Sequence, residues 1–174
     1  MAIENKLEDT TEEVSKDFHI IKVAFFKDRS KSAHHKFIRW WTGSHYSHAE
    51  LVLNDDETWV SISPFIYSKV GARLKTNFDK NEWDFIEFQI SDKQLESLKD
   101  FISETTGDGY DWVGMLLSQV LPVIVKSRRR WYCSSWIAHA LSHAGILKWR
   151  RLGIYEIPDL HPGRLFFLLS ASKK

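Results

Sequence analysis

The sequence predicts an α+β domain in which a central antiparallel sheet packs against helices. Three observations carry this. Segments with strand-like alternation come first and segments with helical periodicity dominate the second half, an order that segregates sheet from helices. Two of the strand segments are joined by Asn54-Asp55-Asp56, a turn signal that makes neighbours antiparallel. A late helical segment begins at the sequence's one cysteine, Cys133, so the only thiol is expected at a helix N-terminus.

Taken in order, residues 1–17 read as a flexible acidic leader. Glu4, Glu8, Asp9, Glu12 and Glu13 dominate it, and little there can be buried. Residues 18–174 are expected to form one domain. A strand is predicted over 19–26, where β-branched and aromatic residues concentrate. Residues 30–41 carry Phe37, Ile38 and Trp41 on one helical face and end at Gly43. The next strand, 46–53, puts Ala49, Leu51 and Leu53 on one side and Tyr46, His48, Glu50 and Val52 on the other. Its hairpin partner, 58–63, places Val60 and Ile62 with the apolar side and Trp59, Ser61 and Ser63 on the side of His48. Residues 65–81 read as loop with a short strand near 71–74, and 83–90 as a further strand.

Ser91 and Gln94 have the spacing of a capping box, opening a helix with Leu95, Leu98, Phe101 and Ile102 inward. Residues 111–125 predict an apolar helix bent near Pro122. The cysteine helix runs over 133–144 with Gly145 as its cap, and Pro162 starts a last helix through 169. At 3.6 residues per turn, Cys133 lies in the stripe of Ile137, Ala140, Leu141 and Ala144, so the thiol points at whatever the helix packs on.

Composition narrows the function classes. The 174 residues are 43% hydrophobic and carry a formal net charge of +1, which gives no overall drive toward nucleic acid. A single cysteine excludes an internal disulfide and a C-x-x-C metal site. The N-terminus lacks the basic and apolar regions of a signal peptide, and no apolar run reaches the roughly 18 residues of a membrane span. A cytoplasmic protein without cofactor or metal is expected. Its partner is expected to be a peptide or acyl substrate. His139 and His143 have zinc-compatible spacing but lack an evident third ligand and read as a solvated helix flank. His34 and His35 read as surface, and residues 126–130 as a solvated basic loop.

A helix N-terminus favours a thiolate, which is the nucleophilic form of cysteine. A thiol nucleophile also needs a base, and the base an orienting group. His48, in mid-strand, is the best placed histidine. The bland alternatives are a small buried cysteine and a core histidine bonded to a backbone carbonyl.

Three stretches in order sharpen this. Residues 38–51 hold Ile-Arg-Trp-Trp-Thr followed by Tyr-Ser-His-Ala-Glu-Leu, residues 110–114 read Tyr-Asp-x-x-Gly, and Cys133-Ser134 opens a helix. Histidine before cysteine in this set resembles the circularly permuted branch of the NlpC/P60 papain-like superfamily, the YiiX/LRAT-like proteins of bacteria and phages. The resemblance covers roughly residues 19–169. It implies a papain-like fold and a cysteine hydrolase with Cys133 as nucleophile and His48 as base, cleaving an amide in a cell-wall-type peptide. Also implied is a polar third residue on a following strand. Ser61, Ser63 and Glu50 compete for that place. A carboxylate holds an imidazolium better than a hydroxyl does, which favours Glu50. Its position two residues along the same strand makes the far ring nitrogen awkward to reach, which favours Ser61. The Cys133 backbone N–H, helped by the Tyr110 hydroxyl, is the expected oxyanion hole. Ser134, Trp41 and Trp59 are candidates for holding substrate, with Trp40 and Trp112 near them in sequence. One departure stands out: relatives often carry Glu two residues after the cysteine, where this chain has Ser135. Lipid acyl transfer or thioester cleavage on the same fold, and a non-catalytic binding module, are the rival readings.

Overall fold

The computed structural model describes residues 18–27, 43–63, 67–111, 130–149 and 160–172. Among them are seven strands: β1 (Phe18–Phe26), β2 (His48–Val52), β3 (Thr58–Ser63), β4 (Tyr67–Leu74), β5 (Trp83–Ser91), β6 (Gly109–Tyr110) and β7 (Arg130–Trp131). Three helices accompany them: α1 (Asp92–Thr105), α2 (Cys133–His143) and α3 (Pro162–Ala171). The strands form one sheet in the order β5-β1-β2-β3-β4-β6-β7. All recorded pairings are antiparallel except β6 with β7, which run parallel. The fold is therefore α+β with a mixed sheet, which corrects the expectation of a wholly antiparallel one. The expected leader (1–17) and the expected helices over 30–41 and 111–125 lie outside the described residues, Asp111 apart.

Alternation gives the sheet two different faces. Ile21, Val23 and Phe25 of β1, Ala49 and Leu51 of β2, and Val60 and Ile62 of β3 are wholly buried in the main core. Onto that face pack Leu98 and Phe101 of α1, Trp136, Ile137, Ala140 and Leu141 of α2, and Leu165 and Leu169 of α3. The opposite face carries a smaller cluster of Ala24, Val52, Trp59 and Trp83, with Phe26, Phe78 and Phe85 against it. The 3-10 turn Lys80–Glu82 leads out of this cover into β5.

Local chemistry fixes the element ends. Asp55 accepts hydrogen bonds from the backbone N–H groups of Glu57 and Thr58 and from the Thr58 hydroxyl, which closes the β2–β3 hairpin. Ser91 and Gln94 form the reciprocal capping box at the start of α1. The Trp136 indole N–H donates to Thr105 Oγ1 at 3.0 Å and ties α2 to the last turn of α1. Gly145, at φ +63°, ends α2 as the sequence implies. The expected short strand at 71–74 is the end of the longer β4, and residues 75–82 turn back over the second face.

α3 is set by its first turn. His161 caps it by accepting from the Arg164 N–H, Pro162 occupies the first turn, and the Ser134 hydroxyl donates to the Leu160 carbonyl just upstream. Gly163 sits directly against Ser44, four residues before His48, and a Cβ there would overlap the Ser44 side chain. Helix propensity alone predicts that Gly163→Ala stabilises the chain by up to about 1 kcal/mol. Overpacking against Ser44 is expected to reverse the sign, with a loss of about 1–3 kcal/mol read as a lower urea midpoint. A rise in the midpoint would show that Ser44 yields freely.

Candidate active site

Tertiary contacts hold the approach to His48 from several directions. Ser47 N–H donates to the Phe26 carbonyl at 3.2 Å. Tyr46 N–H donates to Ser44 Oγ at 3.0 Å, and its hydroxyl donates to Asp84 Oδ2 at 2.7 Å. Its ring packs on Phe25 and on Phe166 of α3. His48 is thus the first residue of β2 on a fastened lead-in.

The β2–β3 ladder is short. Its pairs are Leu51–Val60 and Val52–Trp59, which leaves residues 48–50 outside it. Leu53 N–H donates to the Thr58 carbonyl, so by alternation the N–H groups of Leu51 and Ala49 also point to the β3 side. At Ala49 the ladder has ended, and the Cys133 sulfur takes the N–H in place of a strand partner. The simplest way for the thiol to meet His48 would be for α2 to pack on the face of His48. It packs instead on the Ala49 and Leu51 face, and the sulfur meets the imidazole where the strands part. Cys133 and His48 are hydrogen-bonded there. The Ser134 backbone N–H donates to the same sulfur, and the N-cap Tyr132 makes no side-chain cap of its own.

His48 Nε2 lies 3.3 Å from Glu50 Oε1, so two residues along one strand suffice for the contact. Ser61 does not reach the imidazole. Its hydroxyl accepts from Arg73 Nη2 at 2.7 Å, and that nitrogen lies 3.4 Å from Glu50 Oε2. Lys75 Nζ lies 3.6 Å from Glu50 Oε1 and over the rings of Trp59 and Trp83, at 4.2 and 4.0 Å. Ser63 stands beyond the irregularity that interrupts β3–β4 pairing after Ser61. Of the candidates left open by the sequence, Glu50 is the one that stands against the imidazole, and Ser61 lies one contact further back.

These contacts set the charges. Burial pulls the His48 pKa down, but the charge and hydrogen bond of Cys133, together with those of Glu50, outweigh it and raise it from 6.5 to about 9. Burial pushes Glu50 up, yet His48, Lys75 and Arg73 bring it from 4.5 to about 2. Burial likewise raises the thiol, and His48 with the Ala49 and Ser134 N–H groups brings it below its ordinary 9.0. The site thus favours a thiolate–imidazolium pair over a neutral one. Tyr110 is held well above 10 by burial, by the Cys133 charge and by Asp111, and so keeps its hydroxyl proton. The parallel β6–β7 pair sets it opposite Trp131, which lies two residues before Cys133.

Other candidates fall elsewhere. The Ser134 hydroxyl is engaged with the Leu160 carbonyl, so that residue contributes its backbone N–H to the thiol rather than its side chain. Trp59 is wholly buried and edge-packed on Trp83 and Phe78. It borders a cleft of about 320 Å³ on the second face, which neither Cys133 nor His48 lines. Trp41 lies outside the described residues. His139 donates from Nδ1 to the Ser135 carbonyl and meets Trp131 edge-on, while His143 packs on Phe101. Among the described residues no cluster of His, Cys, Asp and Glu could hold a metal, and no helix is long and apolar enough to cross a membrane. Sequence reasoning missed Arg73 and Lys75. The available signal was Glu50 itself, a carboxylate on an inward strand position, which at that depth needs cations. No protein-family model matches the chain, and no curated protein matches it in sequence.

The shifts dictate a pH dependence. His48, raised above its unfolded value, adds stability that is complete below 6.5 and lost as pH rises through about 9. Cys133, lowered, adds stability that is complete above 9.0 and lost as pH falls through its folded pKa. Between 6.5 and 9 the proton gained by the native imidazole is the one lost by the native thiol, so the two slopes oppose. The stability difference between wild type and a His48→Gln/Cys133→Ala double variant is therefore expected to be nearly flat from pH 6.5 to 9 in urea titrations, with no further loss above 9, where the native imidazole and the unfolded thiol give up their protons together. A steep decline across the flat range would mean that the native thiol keeps its proton.

Proposed function

We propose that the chain is a thiol hydrolase of the permuted NlpC/P60 papain-like kind, acting on an amide through an acyl-enzyme at Cys133. The observation that carries this reading is the unbroken series from the Cys133 sulfur to the His48 imidazole to the Glu50 carboxylate, at a helix N-terminus. Such a series has the three roles that covalent catalysis needs: nucleophile, base and orienting group.

In this reading the thiolate adds to the substrate carbonyl carbon. The resulting oxyanion takes hydrogen bonds from donors at the start of α2, with the protonated Tyr110 hydroxyl as a further donor. Imidazolium passes its proton to the leaving amine, and the C–N bond breaks to leave a thioester. Neutral His48 then removes a proton from water, whose oxygen attacks the thioester, and the sulfur departs as thiolate. Glu50 holds the ring throughout and remains ionised. A cell-wall-type peptide is the substrate class by family resemblance; lipid thioester cleavage uses the same steps with a different leaving group.

Cys133 is only 6% exposed, so a small reagent is the right first probe. Iodoacetamide is expected to alkylate it at pH 6, where an ordinary thiol is almost wholly protonated. His48→Ala is expected to slow that reaction about tenfold or more. Labelling only on unfolding, with no effect of His48→Ala, would sink the enzyme reading and leave a binding module. Once a substrate is in hand from parallel peptidoglycan-peptide and acyl-thioester assays, Cys133→Ser is expected to abolish turnover. Glu50→Gln is expected to lower kcat by about 10²–10⁴. Ser61→Ala, acting one contact further back, is expected to lower it less. Equal losses at Ser61 and Glu50 would return the third place to the hydroxyl.

A further inference from the structure

We propose that Arg73 and Lys75 tune the thiol–imidazole pair by clamping Glu50: Arg73 orients the carboxylate through Oε2, and Lys75 shares Oε1 with the imidazole and limits how tightly that oxygen holds a protonated His48. The inference deepens the hydrolase reading and rests on it for its catalytic meaning.

The geometry separates the two roles. Oε1 faces both His48 Nε2, at 3.3 Å, and Lys75 Nζ, at 3.6 Å. Oε2 faces Arg73 Nη2, which the Ser61 hydroxyl also holds, at 2.7 Å. Glu50 is 5% exposed, so water contributes little to fixing its plane. The groups facing it are His48 from β2, Arg73 from β4 and Lys75 just after β4. The groups facing the partner thiol are His48 and Tyr110, and Asp111 acts in turn on Tyr110. Lys75 itself lies over both the Trp59 and Trp83 rings, and turning out to solvent would give up both contacts.

The clamp has a chemical reason. A base that takes a proton from the thiol must give it up to the leaving group in the same cycle. A carboxylate with no competing cation would hold the imidazolium too firmly for the second step. A carboxylate free to rotate would not orient the ring for the first. Arg73 and Lys75 are positioning residues under this account, since each acts on the pair through the Glu50 carboxylate.

The test is the titration of His48 followed by imidazole NMR in the full chain, with its signal assigned by its loss in His48→Gln. Lys75→Met is expected to raise the His48 midpoint by about one pH unit, because a cation competing for Oε1 is gone. Lys75→Arg keeps the charge and is expected to leave the midpoint near the wild-type value, which separates charge from packing. Ser61→Ala changes no charge and is expected to lower the midpoint by letting Arg73 and the carboxylate turn. Both shifts are expected to shrink by more than half in a Glu50→Gln background. A Lys75→Met shift that is absent, downward, or undiminished without the carboxylate overturns the clamp. Slow, pH-independent alkylation of Cys133 would refute the hydrolase reading on its own, while the His48 titration still decides whether the clamp exists.

Discussion

A carboxylate buried to 5% exposure in the middle of a β-sheet is the constraint on which the rest of this site depends. Removing such a charge from water costs several kcal/mol unless partners replace the lost hydration. Glu50 recovers it from three directions at once: an imidazole on its own strand, a guanidinium from β4 and an ammonium from the segment that follows β4. None of the three is optional in the same way. The imidazole brings the thiol into the network, the guanidinium brings the β3 hydroxyl of Ser61, and the ammonium brings the aromatic cluster of the second face. Sheet order follows the same need, since β4 must lie next to β3 for Arg73 to stand opposite Trp59 and reach across to β2.

The second constraint is that the helix and the histidine occupy opposite faces of one sheet. α2 packs on Ala49 and Leu51, while His48 and Glu50 project the other way. A continuous β2–β3 ladder would keep them apart. The ladder instead ends at Leu51–Val60, and residues 48–50, paired to β1 but not to β3, leave the Ala49 N–H pointing at the gap. The sulfur fills that gap and receives the N–H. The short pairing is thus a requirement of the site rather than a defect of the sheet, and the Gly163–Ser44 contact and the Tyr46–Asp84 bond fasten the strand that would otherwise fray.

Much of this was legible in the residues, and the parts that were not have physical reasons. β1, β3, β5, α1 and α2 follow from apolar period and capping, because those elements bury one face and the pattern records it. β4 was only half readable: of its described side chains only Val70 is buried in the core, and Ser68, Lys69, Gly71, Ala72 and Arg73 around it give no apolar alternation. β6 and β7 are two residues each, too short for any period to register. That Cys133 and His48 come together was legible from phase and order of motifs, but the face on which they meet was not. Phase gives the direction of a side chain from its own strand and is silent on where a neighbouring ladder stops. The choice between Ser61 and Glu50 failed to resolve for a related reason: it turned on the Glu50 carboxylate reaching Nε2 of a neighbour on its own strand at 3.3 Å, which strand phase does not give.

Trp59 shows how a residue can matter to the site without lining it. Its expected place was a substrate groove. It lies instead against Trp83 and Phe78 on the second face and covers one side of Lys75. Aromatic cover around an ammonium does two things. It removes water that would otherwise screen the charge, so the attraction between Lys75 and Glu50 acts at lower effective dielectric. It also makes the ammonium harder to keep, and burial accordingly lowers the Lys75 pKa, against the pull of Glu50. The two effects bind the aromatic cluster to the carboxylate: without Glu50 a cation between two indoles would be poorly paired, and without the indoles Lys75 would be free to leave the carboxylate for solvent. The hydrophobic packing of the second face and the electrostatics of the thiol site are therefore one structure, joined at a single ammonium group.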